Sequence, residues 1–282
     1  MTFLTHLGCP DYKEEKSIDD FIHNLTPDHV VQLKYDGIWG QIHLNENKAR
    51  VYSKTGNLKA EWSLNQTTFF NEGPTVLLGE FMYGTEWSQQ PAHKGQVFVF
   101  DCLILGGRDL HREPYSARYR AAVGVVLGLG VPFRVAPNYH VTKAGGLWAH
   151  ITNHSSHEGL ISRKWSTPYS APELCKIKRE VEDDFVVMGV NEGSGRLTGA
   201  AGALLLGQFD VSTGQLVEVM TCGGGMSDDL RRLIFSNPSN YISRVVRVKG
   251  NDRFASGALR SPQFVQFRDD KPASACLLKK QS

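Results

Sequence analysis

Between residues 31 and 105 apolar positions alternate with polar ones or gather in short β-branched and aromatic blocks. VVQLKYD, GQIHLN, ARVYSK, TVLLGEFMYG and QVFVFDCLIL are such blocks, bounded by Gly, Asn or Pro, and they predict strands. Ahead of them, Ser17 stands three residues before Asp20, the spacing of a cap, and SIDDFIHNL predicts a short helix. SARYRAAVGVVLGL (116–129) changes to helical spacing, with Tyr119, Ala122, Val123 and Val126 on one face. KAGGLWAHITNHS predicts a shorter helix, and strands resume at GLISRKW and LCKIKR.

A second block begins near residue 181. DDFVVMGVNEG, GALLLGQFD, GQLVEVMTCG, SRVVRVKG and PQFVQFR predict five strands, with one helix, SDDLRRLIFSN, after the third. Five short strands with a helix in that place is the layout of an OB barrel. The acidic run EVEDD (180–184) separates the blocks and reads as a hinge.

Bulk composition narrows the class. A chain of 282 residues is long enough for one large domain or two of ordinary size. Hydrophobic content of 41% and charged content of 21% describe a soluble globular protein. No apolar run reaches the length of a membrane span, and MTFLTHLGCPDYKEE lacks the layout of a secretory signal. Five scattered cysteines, Cys9, Cys102, Cys175, Cys222 and Cys276, fit reduced thiols in the cytoplasm better than a disulfide framework or a zinc site. The net charge of +2 announces no nucleic acid. Locally, however, Arg231, Arg232, Arg244, Arg247, Lys249, Arg253 and Arg260 face a single acid within their stretch, Asp252. Such a cluster either neutralises phosphates or forms a solvated basic face.

Candidate chemistry centres on Lys34. It lies two residues before Asp36-Gly37, and an Asp-Gly pair between alternating apolar runs is a strong hairpin signal. Taken alone, Lys34 is then a charge beside a turn. Other polar residues stand where strands should be buried or half-buried: Glu80 after TVLLG, Asp101 after Phe98-Val-Phe100, Glu158 before GLIS, and Lys176 and Lys178 on one face of a strand. In order they read Lys34-Tyr-Asp-Gly37, Ser53-Lys-Thr-Gly56, Gly79-Glu80, Phe98-Val-Phe-Asp101, Glu158-Gly-Leu-Ile161 and Lys176-Ile-Lys178. This series resembles the motifs of the covalent nucleotidyltransferases: DNA ligases, RNA ligases and mRNA-capping guanylyltransferases. EGSGRLTGAAGALLLGQ, TCGGGMSDDLRR and LRSPQFVQFRDDK, which ends in Arg268-Asp-Asp-Lys271, look like the second domain of ATP-dependent DNA ligases.

The resemblance implies an α+β fold. Residues 1–180 would form an adenylyltransferase domain of antiparallel sheets with flanking helices, and 181–282 an OB-fold barrel. It implies a minimal two-domain enzyme of phage, viral or bacterial type. Such an enzyme uses ATP and Mg²⁺ (or Mn²⁺) and works as a cytoplasmic monomer on nicked double-stranded DNA. Lys34 would be the nucleophile. A free lysine amine is protonated at neutral pH, so nearby cations such as Lys176 and Lys178 would favour its neutral form and hold the α-phosphate. Glu158 would bind the metal, Glu80 the ribose, and Phe100 would stack on adenine. Gln32 and Leu33 would border the base, and Lys54 the phosphate or the nucleic-acid end. Arg268 and Lys271 would reach the β,γ-phosphates when the barrel folds over, through motion at Glu182–Asp184. The basic cluster, Arg231, Arg232, Arg244, Arg247, Lys249 and Arg253 within it, would track the DNA backbone.

Two positions depart from the ligase pattern. Trp39 stands where many DNA ligases have an arginine, and Gln32 where a glutamate commonly accepts from the adenine amino group. An amide oxygen can accept the same bond. An RNA ligase, a capping guanylyltransferase or a non-catalytic OB-fold nucleic-acid-binding protein are the alternative expectations.

Overall fold

Residues 10–45, 47–64, 73–83, 93–154 and 157–279 are described in a computed structural model, so Cys9 lies outside them. The chain divides into two units, Met1–Lys178 and Arg179–Ser282. Strands of the first are β1 (Lys13–Glu15), β2 (His29–Lys34), β3 (Ile38–Asn45), β4 (Lys48–Ser53), β5 (Leu58–Ser63) and β6 (Thr75–Phe81). They continue as β7 (Val97–Leu105), β8 (Arg108–Asp109), β9 (Phe133–Val135), β10 (Tyr139–His140), β11 (Gly159–Lys164) and β12 (Leu174–Lys178). Its helices are α1 (Ile18–His23), α2 (Tyr115–Leu129) and α3 (Ala144–His154). As expected, Ser17 caps α1, its hydroxyl accepting from the Asp20 amide at 3.0 Å.

The strands form two sheets, in the orders β1-β12-β11-β2-β10 and β5-β4-β3-β6-β7-β8, with β9 alongside β7. The hairpin expected at Asp36-Gly37 is not there. β2 pairs with β11 and β10, and β3 with β4 and β6, so Asp36-Gly37 carries the chain from one sheet to the other. Glycine is needed at 37 for closeness: a Cβ would stand 2.6 Å from the Phe81 carbonyl oxygen.

Period-two alternation then decides what each face carries. In the first sheet Val31, Leu160 and Ile177 pack against Phe21, Ala144 and Ile151 of α1 and α3. The intervening Gln32, Lys34, Ile161, Lys176 and Lys178 face the other way. The second sheet packs Val97, Val99 and Cys102 against Ala122, Val125 and Val126 of α2. The face expected on α2 is rotated. Arg118, absent from the apolar stripe, is 3% exposed, because its guanidinium is held by Asp101 on β7.

The second unit contains β13 (Val181–Glu192), β14 (Ala201–Phe209), β15 (Leu216–Cys222), α4 (Asp228–Ser236), β16 (Val245–Gly250), β17 (Asp252–Arg253), β18 (Leu259–Arg260) and β19 (Gln263–Phe267). The main sheet has the order β15-β14-β13-β16-β19, around a core that includes Phe185, Leu204, Leu206, Ile234, Val246 and Val248. Among the described residues no closed barrel is found. One isolated parallel bridge, Gly224 to Gln263, links the segment after β15 to β19.

The acidic run expected to be a hinge is the start of β13, in register with β16 from Val181↔Gly250 to Asp184↔Arg247. Asp183 accepts from Arg253 at 2.6 Å and from Lys279 and Gln208 at 3.2 Å. Asp184 accepts from Arg247 at 3.0 Å, Lys271 at 3.0 Å and Arg268 at 3.3 Å. Carboxylates with that many cationic partners fix a strand instead of freeing it.

Candidate active site

A cleft of about 310 Å³ opens between the two sheets of the first unit. β2, β11 and β12 supply Gln32, Leu33, Lys34, Ile161, Arg163, Lys176 and Lys178; the other sheet supplies Trp39, Glu80 and Phe100. Strand register makes the arrangement. Lys34 and Lys178 both stand opposite Gly159, and Gln32 and Lys176 both stand opposite Ile161. Two lysines, one at the end of each strand flanking β11, therefore face one another across a residue with no side chain. A Cβ on Gly159 would meet the Ile177 carbonyl oxygen at 1.9 Å, so glycine alone fits there.

Glu158 joins these lysines. Its Oε2 is ion-paired with Lys34 Nζ, and its Oε1 accepts from Lys178 Nζ at 3.0 Å. The Glu158 amide also donates to the Lys34 carbonyl at 3.0 Å. Burial alone would raise the Glu158 pKa, but the two ammoniums outweigh it and hold the carboxyl below its ordinary value. Lys176 Nζ pairs with Glu14 at 3.0 Å and lies 5.9 Å from the Tyr12 ring centre.

Glu80 is half-buried and accepts from the Gly37 amide at 3.1 Å. Burial pushes its pKa up to about 7, against the pull of Lys34 and the Gly37 N–H. Such a carboxyl binds its proton more tightly folded than unfolded, so stability falls as pH rises from the ordinary carboxyl range to about 7 and changes no further above that. Glu80→Gln removes the titration. The Tm of this variant relative to wild type should therefore climb by a few degrees between about pH 5 and 7. A constant difference across that window in a pH series of melts would exclude the shift.

Phe100 is held by a cation over its ring. The Arg163 guanidinium lies 4.9 Å from its ring centre and 3.9 Å from Asp101, which Arg118 grips through bonds of 2.9 and 3.1 Å. Trp39 lines the cleft and packs with the cluster of Tyr35, Phe98 and Phe100; its buried Nε1 has no protein partner among the described residues. Arg163 was not among the expected site residues. The signal for it was present: it is two residues beyond Ile161 and so on the same strand face.

The remaining expected residues lie elsewhere. Lys54 is exposed in the turn between β4 and β5 and does not line the cleft. Arg268 and Lys271 belong to the second unit, both bonded to Asp184, and Arg268 also to Asp270 at 2.7 and 2.8 Å. Two members of the basic cluster are not available to DNA. Arg231 is 7% exposed and donates to the carbonyls of Ala201, Gly202 and Gly223. Arg253, also 7% exposed, is spent on Gly257 and Asp183. Arg232 pairs with Asp229, Arg244 with Asp269, Arg247 with Asp184 and Lys249 with Glu180, all at 3.0 Å or less. The stretch looked unopposed because every one of these acids lies outside it in sequence.

No family model matches the chain. It is similar to a DNA ligase of Thermococcus onnurineus, 24% identical over 307 residues that cover 90% of this chain and 54% of that protein. A probable DNA ligase of Nocardia farcinica is 35% identical over 196 residues, covering 62% of this chain and 37% of its own. The chain spans about half the length of the curated relatives it matches first. Among solved structures, one described as "DNA binding with a minimal scaffold: Structure-function analysis of Lig E DNA ligases" superposes with a TM-score of 0.64 at 17% identity, covering 93% of this chain and 99% of that one. That likeness is one of fold. Among the described residues no helix is long and apolar enough to cross a membrane.

Proposed function

We propose that this chain is an ATP-dependent DNA ligase that seals 5′-phosphate/3′-hydroxyl nicks in duplex DNA through a lysyl-AMP intermediate. The observation that carries the proposal is the Lys34–Glu158–Lys178 row, whose two lysines line a cleft with an aromatic wall. Lys34 Nζ attacks the α-phosphorus of ATP. A P–N bond forms, the bond to the β-phosphate oxygen breaks, pyrophosphate leaves with that electron pair, and the amine gives up its proton. An oxygen of the nick's 5′-phosphate then attacks the AMP phosphorus, the P–N bond breaks, and the Lys34 amine leaves with that electron pair and takes up a proton. The 3′-hydroxyl next attacks the 5′-phosphorus, gives up its proton, and AMP leaves with the electron pair of the broken P–O bond. Phosphoryl transfer asks chiefly for positioning and charge neutralisation, and Lys176 and Lys178 supply cations on the strand beside the nucleophile.

Phe100 stacks on the base and Glu80 contacts the ribose. Glu158 offers a hard carboxylate oxygen of the kind Mg²⁺ takes. Among the described residues no group of three or more His, Cys, Asp or Glu gathers around it, so Glu158 would be the carboxylate that holds the ion. When bound, Mg²⁺ offsets charge on the transferring phosphate. The second unit acts as the OB-fold domain, closed through the Gly224–Gln263 contact. Its DNA contacts come from Arg232, Arg244, Arg247 and Lys249, which exchange carboxylate partners for phosphates. The enzyme works as a monomer in the cytoplasm.

Arg268 and Lys271 serve the charging step, where they orient pyrophosphate as leaving group. Arg268→Ala should slow adenylation of the protein at least tenfold, on the order of one lost charge-assisted hydrogen bond. Sealing of a nick already carrying AMP should be nearly unaffected. Equal losses in single-turnover assays of the two steps would contradict this role. The proposal itself is tested by intact mass: ATP should add one AMP to the protein and pyrophosphate should remove it. An adduct formed with GTP alone would point to capping chemistry instead.

A further inference from the structure

Behind Gln32 runs a chain of buried hydrogen bonds. The side chain belongs to a residue only 2% exposed, and its Nε2 donates to the Tyr115 hydroxyl at 3.3 Å and the Ala136 carbonyl at 3.4 Å. Tyr115, the first residue of α2, is 1% exposed and stacks on Trp165 with ring centres 5.3 Å apart. Burial raises its phenol pKa, so the hydroxyl keeps its proton. That one proton goes to the Phe100 carbonyl at 3.0 Å, closer than the Asn138 Oδ1 at 3.4 Å, and the Asn138 amide nitrogen donates to the Tyr115 hydroxyl oxygen at 3.3 Å.

These partners leave Gln32 one orientation. A carbonyl can only accept, and a phenol whose proton is already donated can only accept as well. Both therefore require the amide nitrogen of Gln32. Its Oε1 turns away from them and accepts no hydrogen bond among the described residues, while Gln32 lines the cleft beside Phe100. A freely rotating glutamine can present either a donor or an acceptor. This one is committed.

We propose that Tyr115 is a positioning residue for base selection: it holds the Gln32 amide so that the cleft offers an acceptor, and no donor, to the edge of a purine. A 6-amino purine donates to that oxygen, whereas a 6-oxo purine brings acceptor against acceptor. The inference rests on the nucleotide site proposed above, and it names the residue that orients that site's acceptor.

Base choice is measured as binding, apart from chemistry. Calorimetric titration of full-length Lys34→Ala protein with ATP and with inosine triphosphate compares bases that differ at the 6-substituent and N1. ATP should bind roughly tenfold to a hundredfold more tightly. Adding Tyr115→Phe should narrow that ratio severalfold. A purely structural role for Tyr115 would weaken both ligands alike and leave the ratio unchanged, which would overturn the proposal. Purine riboside triphosphate, which has no 6-substituent, should fall between the two on the Tyr115-intact protein. Equal binding of all three would overturn the proposal even where the Tyr115 variant does not fold. Selective binding with no mass adduct on the Lys34-intact protein would refute ligase chemistry and leave base selection standing. Equal adducts from ATP and inosine triphosphate would do the reverse.

Discussion

Lys34→Ala should abolish the AMP adduct that the proposed reaction forms. The other two lysines lining the cleft, Lys176 and Lys178, are on β12, across β11 from β2, and neither stands at the Lys34 position. Covalent catalysis does not fall off gradually when its nucleophile is deleted, so the mass shift should vanish entirely. Lys34→Arg should also eliminate it. Arginine keeps the positive charge for Glu158, but its guanidinium stays protonated in proteins and offers no lone pair. The Arg variant therefore separates loss of the amine from loss of the ion pair. Both variants should still close a nick supplied with AMP on its 5′-phosphate, because the final attack by the 3′-hydroxyl does not pass through the lysine. Stability should change by about 1 kcal/mol or less for Lys34→Arg, since the Lys34 side chain is 20% exposed and the pair is retained. Normal charging by either variant, read by intact mass after incubation with ATP, would end the assignment of Lys34.

What the sequence revealed and what it hid have physical causes. The long strands and all four α-helices were legible because half-buried strands alternate and half-buried helices repeat at 3.6 residues. The same alternation placed Lys176 and Lys178 on one face, where the structure has them. The Asp36-Gly37 signal misled because the glycine serves close approach to Phe81 rather than a turn between paired strands, and both uses look alike in sequence. β5 (LKAEWS) was missed: it is an edge strand with mostly exposed or half-exposed residues, its Glu61 turned outward to Lys48 and Arg50. Buried charges were hardest to see. Arg118, Arg163, Arg231 and Arg253 look like surface residues until their partners, distant in sequence, are known. The same holds for the acidic run, which became a strand because cations from residues 247 to 279 converge on Asp183 and Asp184.

Asp101→Ala carries the largest expected cost to the fold, and the cost reaches the cleft. Asp101 is 1% exposed and is bonded to Arg118 at 2.9 and 3.1 Å, with Arg163 at 3.9 Å. Arg118 and Arg163 are themselves 3% and 4% exposed. Deleting the carboxylate leaves two guanidiniums in a poorly solvated interior with no opposite charge, which costs about 3–5 kcal/mol. Because whole domains are stable by only about 5–15 kcal/mol, the loss is a large fraction of the total, equivalent to a fall in Tm of roughly 10 °C. Arg118 keeps some anchorage through the carbonyls of Glu113 and Thr167, at 2.7 and 3.1 Å. Arg163 loses its counter-charge while still lying over Phe100 and Tyr115, so the aromatic wall of the cleft should loosen and nucleotide affinity should fall along with stability. Replacing Arg118 by Met in the same chain should restore part of the stability, since one unpaired charge is removed. Urea melts of the single and double variants, followed by tryptophan fluorescence, check both statements. A single-variant loss below about 1 kcal/mol, or a double variant weaker than the single, would show that Asp101 does not act as the shared counter-ion.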